Sequence, residues 1–159
     1  MRRVRDRVAG IDVHRDTAVV CCQLWDHQQL TVEKQTFSTT ATGLRSLRDW
    51  LASHEIELVV MEATGDYWKP VFYPMEGLFA EVWVVNAQHV KNVPGRKTDM
   101  ADAEWLADVA AHGMVRPSFI PPPEVRAVRD LTRYRKTQIK ARGQEIQRLE
   151  KVLQDAGVK

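Results

Sequence analysis

The sequence has no apolar run approaching the roughly 20 residues that a membrane-spanning helix needs, which excludes a helical integral membrane protein. The basic start Met1-Arg2-Arg3-Val4-Arg5-Asp6-Arg7 leads straight into a strand-like segment. It has neither the apolar stretch nor the small-residue cleavage site of a secretory leader, so the protein reads as cytoplasmic. Cysteine is almost absent. Cys21 and Cys22 are the only two and are adjacent, so on a strand they point to opposite faces and cannot readily bridge or share a metal. Buried, reduced thiols in a reducing compartment are expected. There is no internal repeat and no low-complexity tract.

What is present is enough for a real core. The chain has 159 residues, 44% of them hydrophobic and 28% charged, the composition of one compact domain with an appendage. The net charge of +2 hides an asymmetry: from Glu124 onward there are ten Lys and Arg against five Asp and Glu, whereas residues 1–123 carry thirteen against sixteen. A mildly acidic body joined to a basic arm points to a polyanion partner.

The hydrophobic pattern divides the chain. Val8 to Val13, Thr17 to Leu24 and Leu30 to Phe37 read as an antiparallel meander of three strands. Thr42 is expected to cap a helix with Leu44, Leu47, Trp50 and Leu51 at helical spacing. Leu58-Val59-Val60-Met61 and Glu81 to Asn86 are continuous apolar runs, as in strands covered on both faces. Between them Tyr67 to Phe79 reads as a helix disturbed by Pro70 and Pro74. Strand–helix–strand at this spacing implies a parallel right-handed crossover. The sum is an α/β fold: a mixed five-stranded sheet with flanking helices.

Ala87 to Lys97 reads as a loop, and Thr98 or Asp99 as the cap of a helix that runs to His112 and ends at Gly113. The expected boundaries are a domain over 1–116, a Pro-rich linker over 117–123, and a long helix over 124–159. In that helix Val125, Val128, Ile139, Ile146, Leu149 and Leu153 follow alternating steps of three and four, with Arg135 and Arg142 on the same seam. This predicts a coiled coil and hence a homo-oligomer.

Two carboxylates stand where they are costly. Asp12 lies inside an apolar strand, and Glu62 ends Leu58-Val59-Val60-Met61; neither belongs there without a partner or a metal. The two strands are natural neighbours at the centre of the sheet, so the carboxylates can meet. Asp99 and Asp102, three apart, share one face of the expected helix. Separately, each has a plain structural reading as a turn, cap or dipole partner. Together, oxygen donors from two strands and a helix suit Mg²⁺, with Mn²⁺ as its substitute, and a phosphate substrate. His89, Lys91, Asn92, Arg96 and Lys97 crowd the preceding loop, where they could hold phosphates of DNA or RNA. Arg129, Arg133, Lys136 and Lys140, with Arg126, Arg135 and Arg142, could track a nucleic-acid backbone. Tyr67 and Trp68 read as core more readily than as a base-stacking pair, and Trp83 and Trp105 as core.

Gly10-Ile11-Asp12-Val13-His14, Met61-Glu62-Ala63-Thr64-Gly65 and Arg96-Lys97-Thr98-Asp99-Met100-Ala101-Asp102-Ala103 resemble the successive signatures of the DEDD insertion-sequence transposases. That group includes the site-specific pilin-gene invertases and the bridge-RNA-guided recombinases, and the resemblance covers roughly residues 7–155. It implies an RNase-H-like fold similar to the Holliday-junction resolvase RuvC, with the family's four acidic residues falling on Asp12, Glu62, Asp99 and Asp102. It also implies Mg²⁺-dependent DNA strand cleavage and transfer in a prokaryotic cell, a structured guide RNA, and a serine nucleophile in a further domain beyond the coiled coil. Ser38, Ser46, Ser53 and Ser118 lie in no matching motif, so the chain is expected to be the N-terminal part of a longer protein. Two other readings remain, a RuvC-like nuclease and a non-catalytic nucleic-acid-binding and oligomerisation module. An actin-like ATPase is disfavoured, because Val13-His14-Arg15-Asp16 lacks the glycines that a phosphate-receiving hairpin needs.

Overall fold

The computed structural model describes residues 2–63, 65–95 and 100–158. The chain divides into two compact units, residues 1–118 and 119–159. The first contains strands β1 (Arg7–Val13), β2 (Thr17–Asp26), β3 (Gln29–Ser38), β4 (Leu58–Glu62) and β5 (Glu81–Val85), with helices α1 (Ala41–Ser53), α2 (Lys69–Phe72), α3 (Ala87–Lys91) and α4 (Asp102–Ala111). The strands form one sheet in the order β3-β2-β1-β4-β5. The meander is antiparallel, while β1 with β4 and β4 with β5 are parallel, the mixed sheet that the pattern predicts.

β1 sits at the centre, and its burial follows from what covers each face. A Cβ placed on Gly10 would lie 2.1 Å from the backbone oxygen of Ala103 and 2.6 Å from the nitrogen of Ala107. Glycine therefore lets the backbone of α4 rest directly on the sheet. Trp105, Leu106, Val109 and Ala110 pack there against Val8, Leu58 and Val60. On the opposite side α1 packs against β3, with the rings of Phe37 and Trp50 5.6 Å apart, and buries Leu47 and Leu51 completely. β3 is the outer strand and is exposed except at Phe37.

Several boundaries differ from the sequence reading. Thr40, not Thr42, caps α1, accepting a hydrogen bond from the Gly43 amide at 3.2 Å, because the strand before it ends at Ser38. The expected helix from Tyr67 to Phe79 is only α2 and a 3₁₀ turn at Tyr73–Met75. Pro70 is tolerated in the first turn, but Pro74 has no amide to bond one turn back. The expected loop after β5 opens instead with α3, because the Asn86 side chain accepts from the Gln88 amide at 2.8 Å. α4 starts at Asp102 behind Ala101, which contributes no side-chain cap. Gly113 closes α4 with a φ of 67°, as a left-handed terminating residue should.

The second unit is one helix, α5 (Pro123–Asp155), with proline in its first turn and no buried residue. No helix among the described residues is long and apolar enough to cross a membrane.

Candidate catalytic site

The registers bring the two anomalous carboxylates together. In the parallel pair, Gly10 lies opposite Val60 and Ile11 opposite Met61, so Asp12 comes level with Glu62 one residue further on. Side chains alternate along a strand, which puts Asp12 on the face of Gly10, against which α4 is packed. Asp102 is the first residue of that helix. Asp12, Glu62 and Asp102 accordingly line one pocket of about 200 Å³, together with Val13, His14, Val90, Lys91, Trp105 and Leu106. It opens beyond the carboxyl ends of β1 and β4, the end at which open α/β sheets bind ligands.

The start of α4 is braced. Lys34 on β3 pairs with Glu104 at 2.6 Å, and the side-chain amide of Gln23, the one buried polar side chain among the described residues, reaches the backbone oxygen of Glu104 at 3.5 Å. The Trp105 indole donates to the Val90 oxygen at 3.3 Å, tying α3 to α4 and setting Lys91 at the pocket. His14 approaches the Asp12 carboxylate with Nε2 3.2 Å from Oδ2. Burial raises the Asp12 carboxyl above its ordinary value; the His14 ring opposes this and the Asp102 charge adds to it. A carboxyl poised in this way gains from a cation that restores its ionised form.

The predicted residues thus fall into distinct places. Asp12, Glu62, Asp102 and Lys91 share the pocket. Asp99, Arg96 and Lys97 lie outside the described residues, as does Thr64 of the second motif. His89 and Asn92 line separate clefts away from the carboxylates, His89 with Asn86 and Arg116 and again with Asn92 and His112. Arg129, Arg133, Lys136 and Lys140 are exposed on α5. Tyr67 is exposed, and Trp68 packs edge-on against Phe72 and Tyr73. Trp105 is buried, while Trp83 is partly buried against the same cluster. Sequence reasoning missed His14, which it read as part of a tight turn and which lies just past the end of β1. Cys21 and Cys22 are free and buried. Burial lifts their thiols to about 11 and about 12 respectively, so neither supplies a nucleophile.

The donor set fits a hard divalent cation: three carboxylates from three elements face a pocket with room for water and phosphate oxygens. Among the described residues they do not close into a preformed cluster of three ligands, and like charges held in one pocket repel.

A family model described as a transposase, of the DEDD insertion-sequence type, matches residues 9–157. Among solved structures, RuvC of Thermus thermophilus matches with 14% identity and a TM-score of 0.50, covering 70% of this chain and 99% of that one. The same protein in complex with a Holliday junction substrate matches at 13% identity and a TM-score of 0.49, covering 72% and 100%. A fowlpox virus resolvase with Holliday junction DNA matches at 12% and 0.48, covering 67% and 99%. At these identities the likeness to RuvC shows the fold, which is RNase-H-like. No curated protein matches the chain.

Proposed function

Because the chain belongs to the DEDD transposase family, whose work is DNA recombination, we propose that its first unit is the carboxylate domain that positions a scissile DNA phosphate for strand cleavage and transfer. The observation that carries this reading is the convergence of Asp12, Glu62 and Asp102 on one pocket with Lys91 at its wall. Asp12, Glu62, Asp102 and the family's remaining acid, Asp99, hold Mg²⁺ or Mn²⁺. Bound there, the ion would offset the charge that builds on the phosphate in the transition state.

The other roles belong to the chain's own residues. Lys91 presents an ammonium to a non-bridging phosphate oxygen. His14, 3.2 Å from Asp12, fixes the orientation of that carboxylate. Val90, Trp105 and Leu106 form an apolar wall that limits water and so strengthens each electrostatic contact inside. His89, Arg96 and Lys97 take phosphates flanking the site, and Arg129, Arg133, Lys136 and Lys140 take more distant ones. A serine from a further domain supplies the nucleophile, a structured RNA guides target choice, and the exposed apolar seam of α5 pairs copies of the chain.

The test is Mg²⁺-dependent cleavage of nicked or branched target DNA by the intact transposase. Asp12→Asn and Glu62→Gln should each abolish cleavage while leaving DNA retention unchanged. Cleavage that persists in both variants would overturn the reading.

A further inference from the structure

The long helix α5 is divided lengthwise into two chemistries. Its apolar seam runs through Val125, Val128, Thr132, Arg135, Ile139, Arg142, Ile146, Leu149 and Leu153 in steps of three and four. One residue after each of the first five seam positions except Val125 stands an exposed basic residue: Arg129, Arg133, Lys136 and Lys140. Half-buried Arg126, which follows Val125, extends the same row. The spacing of 3, 4, 3 and 4 keeps all five on one side of the helix, drifting by only about 20° per seven residues. A one-residue offset rotates the row about 100° from the seam. The acids of this stretch, Glu124 and Asp130, stand outside the row.

The row then stops. Its next positions are Gly143, Gln147, Glu150 and Gln154, none of them basic. Residues 124–142 carry seven Lys and Arg against two acids, whereas 143–155 carry two against three, with Arg148 paired to Glu145. The seam changes in the opposite sense: Thr132, Arg135 and Arg142 interrupt its first part, and Ile146, Leu149 and Leu153 complete its last.

We infer that the first half of α5 is a binding stripe for the phosphate backbone of duplex DNA, formed by Arg126, Arg129, Arg133, Lys136 and Lys140. This deepens the proposed function, on which it rests for the identity of the polyanion as DNA. Three features select a duplex. The row is straight and rigid, spanning about 17 Å from Arg129 to Lys140 at the α-helical rise. Along that length a B-form duplex presents about ten phosphates, since it carries one charge per ~1.7 Å of axis. A single strand would have to be straightened to meet the row, whereas a duplex is stiff over about 150 base pairs. Proteins that hold single strands stack the bases on aromatic rings, yet the only aromatic residue of α5, Tyr134, is not in the row. The row consists of Arg and Lys alone, and charges repeated along a straight helix meet the regularly spaced phosphates, so its contribution is to affinity and register. A continuous helix with a basic first half and an apolar second half is the arrangement by which zipper proteins lay a helix on DNA.

The experiment measures affinity of the 159-residue chain for a mixed-sequence duplex, for one of its strands and for the matching RNA duplex. Anisotropy is read across a KCl series in EDTA, so that neither cleavage nor metal binding contributes. Replacing Lys136 and Lys140 by Ala should lower the slope of log K against log salt by about 1.8 on duplex DNA, at roughly 0.9 per phosphate contact. Alanine favours helix more than lysine does, so circular dichroism should show α5 intact. Lys136→Arg with Lys140→Arg, which keeps both charges, should retain the slope. Arg135→Ala with Arg142→Ala, which removes two charges from the seam, should leave it unchanged. Equal loss of slope in the seam variant would refute the stripe. So would a wild-type chain that binds the single strand or the RNA duplex more tightly than duplex DNA. The slope is read in EDTA without cleavage, so a failed cleavage assay speaks against the carboxylate site alone and a failed slope test against the stripe alone.

Discussion

Gly10→Ala should disable the domain through packing. The added Cβ would sit 2.1 Å from the Ala103 oxygen and 2.6 Å from the Ala107 nitrogen. Both are backbone atoms of α4, so no side chain can swing aside. To reach ordinary contact at 3.4 Å the helix must retreat by about 1.3 Å, and a gap of even about 1 Å forfeits up to half of each dispersion contact along it. The contacts at stake include Trp105, Leu106, Val109 and Ala110 against Val8, Leu58 and Val60. Overpacking of this kind costs roughly 1–3 kcal/mol, and immovable backbone argues for the upper end. The reduced freedom of the unfolded chain returns up to about 1 kcal/mol, leaving a loss of about 2 kcal/mol. For a unit of this size that lowers Tm by about 6–10 °C. Urea unfolding followed by tryptophan fluorescence measures it, and the same shift should withdraw Asp102 from Asp12 and weaken divalent-ion binding. A variant within about 0.5 kcal/mol of wild type, the range of neutral surface changes, would refute direct contact between α4 and β1.

Three further outcomes follow from the structure. The β2–β3 hairpin turns through His27 and Gln28, both with positive φ (43° and 69°), where Asn-Gly is the favoured pair; His27→Asn with Gln28→Gly should stabilise the unit by about 1 kcal/mol, and destabilisation in urea would contradict the turn assignment. Asp12 has a folded-state carboxyl raised above its ordinary 3.8, chiefly by burial, so its ionisation increasingly penalises the fold as pH rises through the raised value. Asp12→Asn should therefore be more stable than wild type at pH 7 in EDTA, with the difference closing below about pH 4; a difference that persists unchanged at low pH would contradict the burial argument. Val128, Ile139, Ile146, Leu149 and Leu153 are all at least 40% exposed, so sedimentation should show self-association with rising concentration, and a strict monomer would refute pairing through α5.

Much of this architecture was legible because it is written in local chemistry. Asp12 and Glu62 stand out by interrupting apolar runs, and the shift from alternating to continuous apolar strands marks the change from meander to parallel crossover. The start of α4 was not legible, since Ala101 offers no capping side chain and the capping signals at Thr98 and Asp99 lie upstream of Asp102. Five-residue α3 is too short for a periodic pattern and shows only its Asn86 cap. The role of Gly10 is invisible in one dimension, because what excludes a side chain there is a helix ninety residues further on. His14 was not legible as a site residue, because it lies one residue past the end of β1, where strand alternation no longer sets the direction of a side chain.

The most direct test of the central claim is calorimetric titration of the 159-residue chain with Mn²⁺, comparing wild type with Asp12→Asn, Glu62→Gln and Asp102→Asn. Saturable binding in the wild type, lost or weakened at least tenfold in each single variant while the fold is retained, is the result this account predicts. Binding that is indifferent to all three substitutions, or no binding by a correctly folded wild-type chain, would contradict it.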